Sequence, residues 1–409
     1  MQNNKKFEGP PLGCVMLLFF VWGFATVLVD TLVPKLKALF TLSYAEVMLT
    51  QFSFFLAYFI MSLPAGALLA RVGYVRAIIC GLAIMACGCL LFIPATQLGI
   101  YPIFLLALFV MASGITMLQI AANPLVALLS EPQQSHSRLN LAQAFNSLGT
   151  AVGPWIGAIF ILGNPTLQTG NRVAEAHALQ CPFVAIAIGL IVLAGIFSFF
   201  RGNTINAERK TAPASAGWKL LKQPRLSFGA LAMFVYVGAE VSIGSLLINY
   251  LMQEKTLMLA AVTAGKLISV YWGGAMIGRF IGSFVLKRVT AGTVLGACAC
   301  AAAILVSISA ISSGMLAATT ILAVGLCNSI MFPTIFTLAI EHSGSDTPRA
   351  SAIVCVAIVG GAIVPVVTGF AADKIGLSLA LLVPALCYVI IAGYGAAARF
   401  DWLERKYAK

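Results

Sequence analysis

Charge is what this sequence is short of. Only 9% of its 409 residues are Asp, Glu, Lys or Arg, where a soluble domain carries about 25%. With 60% of residues apolar and a mean hydropathy of +0.99, a water-soluble globule is excluded. Histidine is scarce too: His136, His177 and His342 lie far apart in the chain, in segments read as loops, and suggest no imidazole cluster. There is no P-loop Gly-Lys-Ser/Thr, no dinucleotide fingerprint and no HExxH pair, so the machinery of soluble enzymes is missing and no cofactor is expected. The ten cysteines sit mostly inside apolar runs. Cys87 and Cys89, like Cys298 and Cys300, are two apart, on different helix faces and without histidine or carboxylate neighbours, which argues against a metal site and favours small buried thiols.

What the chain has instead is a succession of apolar runs. A bilayer span needs about 20 apolar residues. Runs bounded by charge, Pro or Gly predict helices at about 13–40, 46–70, 76–96, 101–129, 139–163 and 180–200, then about 227–253, 263–286, 291–312, 315–341, 349–372 and 377–399. The fold class is therefore an all-α membrane protein of twelve transmembrane helices in two six-helix bundles. The expected domains are 1–200 and 226–409, joined by a basic linker over 201–225. The first apolar run lacks a small-residue cleavage site after it and is read as a retained helix. A net charge of +12 would suggest nucleic acid in a soluble protein. Here 18 of the 25 basic residues, among them Lys5, Lys6, Arg71, Arg76, Arg138, Arg201, Arg288 and Arg349, fall at the termini or in alternate loops. That pattern predicts both termini in the cytoplasm and the lipid bilayer as the partner, with no nucleic acid.

The two sets of six helices are related by a near-constant offset. Adding 209 takes Pro124 to Pro333 and Gln119 to Asn328; adding 211 takes Arg138 to Arg349, Gly149 to Gly360 and Pro154 to Pro365. Adding 210 takes Asp30 to Glu240, the two carboxylates placed deepest in predicted spans. Such parallel six-helix halves mark the major facilitator architecture, in which substrate binds near the midplane between the halves.

A charge at the bilayer centre costs about 2.5 to 3.5 kcal/mol even on lenient scales, so Asp30 and Glu240 each need a partner, a proton, a cation or water. Asp30 lies one turn before Pro34, which removes a backbone donor and frees a carbonyl. It is the candidate proton or cation site, and Glu240 a candidate substrate or cation contact. Amides cluster as well: Gln119 and Asn123 share a helix face, and Gln143 and Asn146 are three apart on the next helix. With Asn328 they supply donors and acceptors from single neutral groups, the surface that sugar hydroxyls require. Tyr271 and Trp272 precede Gly273 and Gly274 and can present a flat face to a sugar ring. The segment Gly66 to Arg76 has glycines for close helix approach and Arg71 and Arg76 for a closed gate. Glu131, Arg138, Glu341 and Arg349 complete the gating candidates.

The stretches Ala121 to Pro124, Arg138 to Ser147, Val237 to Ser245 and Met331 to Thr337 resemble the fucose permease and glucose/galactose transporter family of the major facilitator superfamily, from about the first helix to the last. The segment around Glu240 is most similar to the glucose/galactose branch. The resemblance implies uptake of a monosaccharide with a cation, by alternating access, in a bacterial-type inner membrane, by a monomer. Ala70 stands where the superfamily's loop motif has Asp. The resemblance maps a key Asp onto Asp30, whereas Gln119 occupies the place of fucose permease's key Glu and cannot exchange a proton. An Asp with amide oxygens resembles a hard-cation site, so sodium at Asp30 and Gln119, with Asn123 nearby, is expected over a proton. The rival readings are a proton-coupled fucose-type symporter and a drug/proton antiporter.

Overall fold

The computed structural model describes residues 10–128, 135–162, 180–200, 218–286, 288–341 and 347–399. Among them, eleven helices are long and apolar enough to cross a membrane. They are α1 (Leu12–Phe40), α2 (Tyr44–Leu69), α3 (Tyr74–Leu98), α4 (Tyr101–Asn123), α5 (Leu141–Leu162), α6 (Gln180–Ser198), α7 (Pro224–Leu251), α9 (Ala291–Ile311), α10 (Gly314–Ile340), α11 (Ile353–Ile375) and α12 (Leu377–Arg399). The remaining long helix, α8 (Ala261–Val285), is less apolar because it carries Lys266, Arg279 and five glycines. The predicted helices thus all have counterparts, with ends displaced by a few residues. Large apolar side chains on their outward faces, such as Leu63, Phe199 and Phe284, are more than 70% exposed, as lipid-facing positions are.

The helices depart from α geometry at three places, and at the first of them proline is the cause. In α10 the helix stops at Asn328 and resumes at Met331, because Pro333 has no N–H for the carbonyl of Ser329. In α5, Pro154 precedes a π-helical turn over Ala158–Leu162. In α11 a 3-10 turn at Ala357–Val359 leads into Gly360, with Pro365 one turn further on.

The contacts cluster into two compact units, which do not follow chain order. One comprises Met1–Leu28, Leu56–Gly153 and Gly163–Lys210; the other comprises Val29–Phe55, Pro154–Leu162 and Thr211–Lys409. The expected 1–200 and 226–409 halves therefore describe the sequence repeat, whereas the end of α1, the start of α2 and the π turn of α5 cluster with the second half. In the first unit, α5 crosses α1 so closely that a Cβ on Gly149 would overlap the Phe20 carbonyl oxygen. In the second, a Cβ on Gly360 would overlap the Phe234 carbonyl oxygen. Gly149 and Gly360 are the pair related by the 211 offset.

The first turn of α2 is tied down twice. Ser43 and Glu46 form a reciprocal capping box, with Ser43 N–H donating to Glu46 Oε2 at 2.8 Å and Glu46 N–H to Ser43 Oγ at 3.2 Å. The Asp373 carboxylate of α11 accepts from the N–H groups of Tyr44 and Ala45 at 2.7 and 2.8 Å, using helix-start donors that have no intrahelical partner.

Candidate functional site

Asp30 is 8% exposed, and its Oδ1 is held by two donors within the second unit. Ser245 Oγ of α7 donates to it at 2.8 Å and Gln51 Nε2 of α2 at 3.1 Å; Gln51 Nε2 also donates to Ser245 Oγ at 2.7 Å. The other oxygen, Oδ2, lies 3.5 Å from the position a Cβ would take on Gly244, as does Trp272 on α8. Gly244 therefore leaves room between α7, Asp30 and Trp272 that any other residue would fill. The Trp272 indole N–H is buried and makes no hydrogen bond among the described residues.

One turn before Gly244, Glu240 accepts from the Tyr236 hydroxyl at 2.8 Å. Tyr236 also reaches the Asn328 carbonyl, at 3.1 Å, which the break in α10 leaves without an intrahelical donor. Both polar atoms of the Asn328 side chain are engaged: its Nδ2 donates to the Tyr271 hydroxyl and its Oδ1 accepts from the Tyr388 hydroxyl of α12, both at 2.8 Å. Tyr236, Tyr271, Tyr388 and Asn328 are each 2% exposed or less. Of the second-half candidates, Tyr271 and Asn328 are thus bonded to each other and enclosed, while Glu240 and Trp272 retain partly accessible side chains.

In the first unit, Gln119 donates to the Tyr58 hydroxyl at 3.2 Å, and Gln143 donates to Asn123 Oδ1 at 3.3 Å across the α4–α5 boundary. The Gln119–Tyr58 bond joins α4 to α2 as Asn328–Tyr271 joins α10 to α8, an amide on a tyrosine in both repeats. Asn146 serves another purpose: its Nδ2 donates to the Phe19 carbonyl at 3.0 Å, where α5 lies on α1 beside Gly23. The expected sodium pair is apportioned differently, with Asp30 bonded to Gln51 and Ser245 in one unit and Gln119 to Tyr58 in the other.

The family model of the Major Facilitator Superfamily matches residues 15–355. The chain belongs to that superfamily. A glucose/galactose transporter of Brucella abortus is 47% identical over 393 residues, covering 96% of this chain and 95% of that protein. The L-fucose-proton symporter of Escherichia coli is 34% identical, covering 93% and 91%. A solved structure of the major facilitator FucP in its outward conformation aligns with a TM-score of 0.69 and 32% identity, over 95% of this chain and 98% of that one. This major facilitator is a multi-pass membrane transporter, not an enzyme.

Its gating candidates divide in the same way. Glu341 pairs with Arg225 Nη2 at 2.5 Å, while Arg225 Nε donates to the Leu338 carbonyl at 3.1 Å, locking the start of α7 to the end of α10. Arg71 and Arg76 are exposed and form no ion pair among the described residues. Glu131 lies outside the described residues, as do the side chains of Arg138 and Arg349. Sequence reasoning missed Gln51, Ser245, Tyr58, Tyr236 and Tyr388, and treated Arg225 only as a topology signal. It also missed Arg279 of α8, whose charge acts on Glu240.

This geometry separates two amides that the sequence had grouped. Replacing Gln143 by Ala is expected to weaken sugar affinity by about 1 to 3 kcal/mol, by removing a half-buried amide from the α4–α5 face, with little loss of stability. Replacing Asn146 by Ala is expected to lower the melting temperature instead, since its amide satisfies a backbone carbonyl. Binding isotherms and thermal melts of both purified variants check this, and the reverse pattern would exchange their roles.

Proposed function

We propose that this transporter is a monosaccharide symporter that moves a neutral hexose together with a cation by alternating access. The observation that carries the reading is Asp30: a buried carboxylate fixed by one oxygen, its other oxygen beside the gap at Gly244, which the edge of the Trp272 ring also borders. Neutral amides and hydroxyls surround the candidate groups, a surface suited to sugar hydroxyls and less to the greasy cations of a drug/proton antiporter. The names of the Brucella and Escherichia relatives, one a glucose/galactose transporter and the other an L-fucose-proton symporter, support the substrate class. No covalent step is involved.

The coupling ion we propose is the proton, in place of the sodium that the sequence favoured. Two donors converge on Asp30 Oδ1, which suits a carboxylate that changes its proton, whereas a sodium ion needs several oxygens presenting lone pairs to one point. One positive charge moving down about 100 mV supplies about 2.3 kcal/mol, enough for roughly 50-fold accumulation. We infer a monomer in a bacterial inner membrane with both termini in the cytoplasm.

Counterflow of labelled glucose, galactose, fucose and mannose in proteoliposomes identifies the sugar. Accumulation of that sugar is then expected under an imposed pH gradient without sodium and absent under a sodium gradient at constant pH. Accumulation under sodium alone would overturn proton coupling, and no counterflow of any hexose would overturn the substrate class.

A further inference from the structure

The reading of Asp30 as the coupling group leaves open what holds it in place. Neither Gln51 nor Ser245 carries charge, and both are buried, at 3% and 0% exposure. Their hydrogens balance with Asp30 in a closed ring. The Gln51 amide has two hydrogens, one directed to Asp30 Oδ1 and one to Ser245 Oγ; the single Ser245 hydrogen goes to Asp30 Oδ1. The ring joins α1, α2 and α7, elements far apart in sequence, and all three members meet at one oxygen of one carboxylate. Oδ2 receives no hydrogen bond from any described residue. The titratable group whose charge reaches Asp30 is Glu240 on α7; α8 faces it with Tyr271, on which the Asp30 charge acts, and α2 with the neutral Gln51.

We propose that Gln51 and Ser245 are positioning residues for coupling: they clamp Asp30 by Oδ1, so that Oδ2 is the atom that gains and releases the transported proton at the gap beside Gly244 and Trp272. The inference rests on Asp30 being the coupling carboxylate. A protonated Asp30 keeps Oδ1 as a carbonyl acceptor, so the clamp survives both states while the bonds are stronger to the charged one. Proton loading then changes the charge at the gap without releasing α2 or α7 from α1. The clamp residues themselves touch neither the proton nor the sugar.

The test uses the full-length protein in proteoliposomes, with the labelled hexose that gives counterflow in the unmodified protein. Ser245→Ala and Gln51→Met remove donors at nearly constant shape, and Ser245→Thr retains the hydroxyl. Counterflow reports sugar handling without net ion movement; accumulation under an inward pH gradient reports coupling. Ser245→Ala and Gln51→Met are expected to keep the counterflow KM while accumulation falls by about tenfold, the loss that goes with one hydrogen bond to a charged group. Ser245→Thr is expected to restore it. Unchanged accumulation in both donor-deleted variants would overturn the inference. So would an equal fall in counterflow and accumulation in monodisperse protein, the mark of a merely structural role. Asp30→Asn, run alongside, separates the two levels: if it accumulates sugar normally, the coupling reading fails and the clamp with it; if it does not, while Ser245→Ala and Gln51→Met both do, only the clamp is wrong.

Discussion

Replacing Asp30 by Asn is expected to abolish gradient-driven sugar accumulation while sparing exchange. The substitution preserves shape and leaves an amide oxygen to accept from Gln51 and Ser245, so the contacts among α1, α2 and α7 are retained. What disappears is the only group in that ring able to change charge. Sugar exchange needs the sugar-binding groups but no net proton movement, and should proceed within a few-fold of the unmodified rate. Accumulation should fall to equilibration, a loss of roughly 50-fold at a membrane potential of about 100 mV. Side-by-side uptake and counterflow in the same liposomes check it. Accumulation that persists in the Asn variant would move the coupling role to Glu240, the repeat-related carboxylate.

A comparably large effect, on stability, is expected at Asn328. Its side chain joins the Tyr271 and Tyr388 hydroxyls at the point where α10 breaks, and all three residues are enclosed. Asn328→Ala leaves two buried hydroxyls short of a partner, each costing about 1 to 3 kcal/mol, so the total is about 2 to 6 kcal/mol. The substitution leaves the Tyr236 hydroxyl in place, and its hydrogen can still serve Glu240, the nearer of its two acceptors. The variant should therefore melt well below the parent in detergent, whereas Tyr388→Phe, which deletes one hydroxyl and strands only one acceptor, should melt between them. An Asn328→Ala melting curve that overlays the parent would show that the network is not holding α8, α10 and α12 together.

The helices were legible in the sequence because apolar runs of membrane length have few alternative uses, and the two deep carboxylates because charge in a span is costly. Other features hid for physical reasons. Neutral polar groups in a span are cheap, with helix-to-helix hydrogen bonds worth only about 0.6 to 2 kcal/mol, so Gln51 and Ser245 carry no compositional signal. Their partnership with Asp30 spans 21 and 215 positions of sequence, beyond any local period. Tyr236 and Tyr388 look like ordinary packing aromatics until their hydroxyls are placed. Asn146 and Asn328 were read as sugar contacts from residue type, helical spacing and the repeat offset; the structure gives their amides protein partners, the Phe19 carbonyl and the Tyr271 and Tyr388 hydroxyls. Arg225 was counted among linker charges and proves to be the partner of Glu341. The contact units also depart from the two halves, since no sequence offset reveals that 29–55 and 154–162 cluster with the later helices.

The bare crossings at Gly149 and Gly360 bear on how such a molecule can change shape. Where backbone rests on backbone there is no side chain to rotate out of the way, so the seam cannot yield by a rotamer change. Each crossing works as a rivet. The first part of α5 is held to the start of α1 at Gly149, and α11 to α7 at Gly360, so a change of shape is expected to be taken up first at the softer seams where side chains interdigitate.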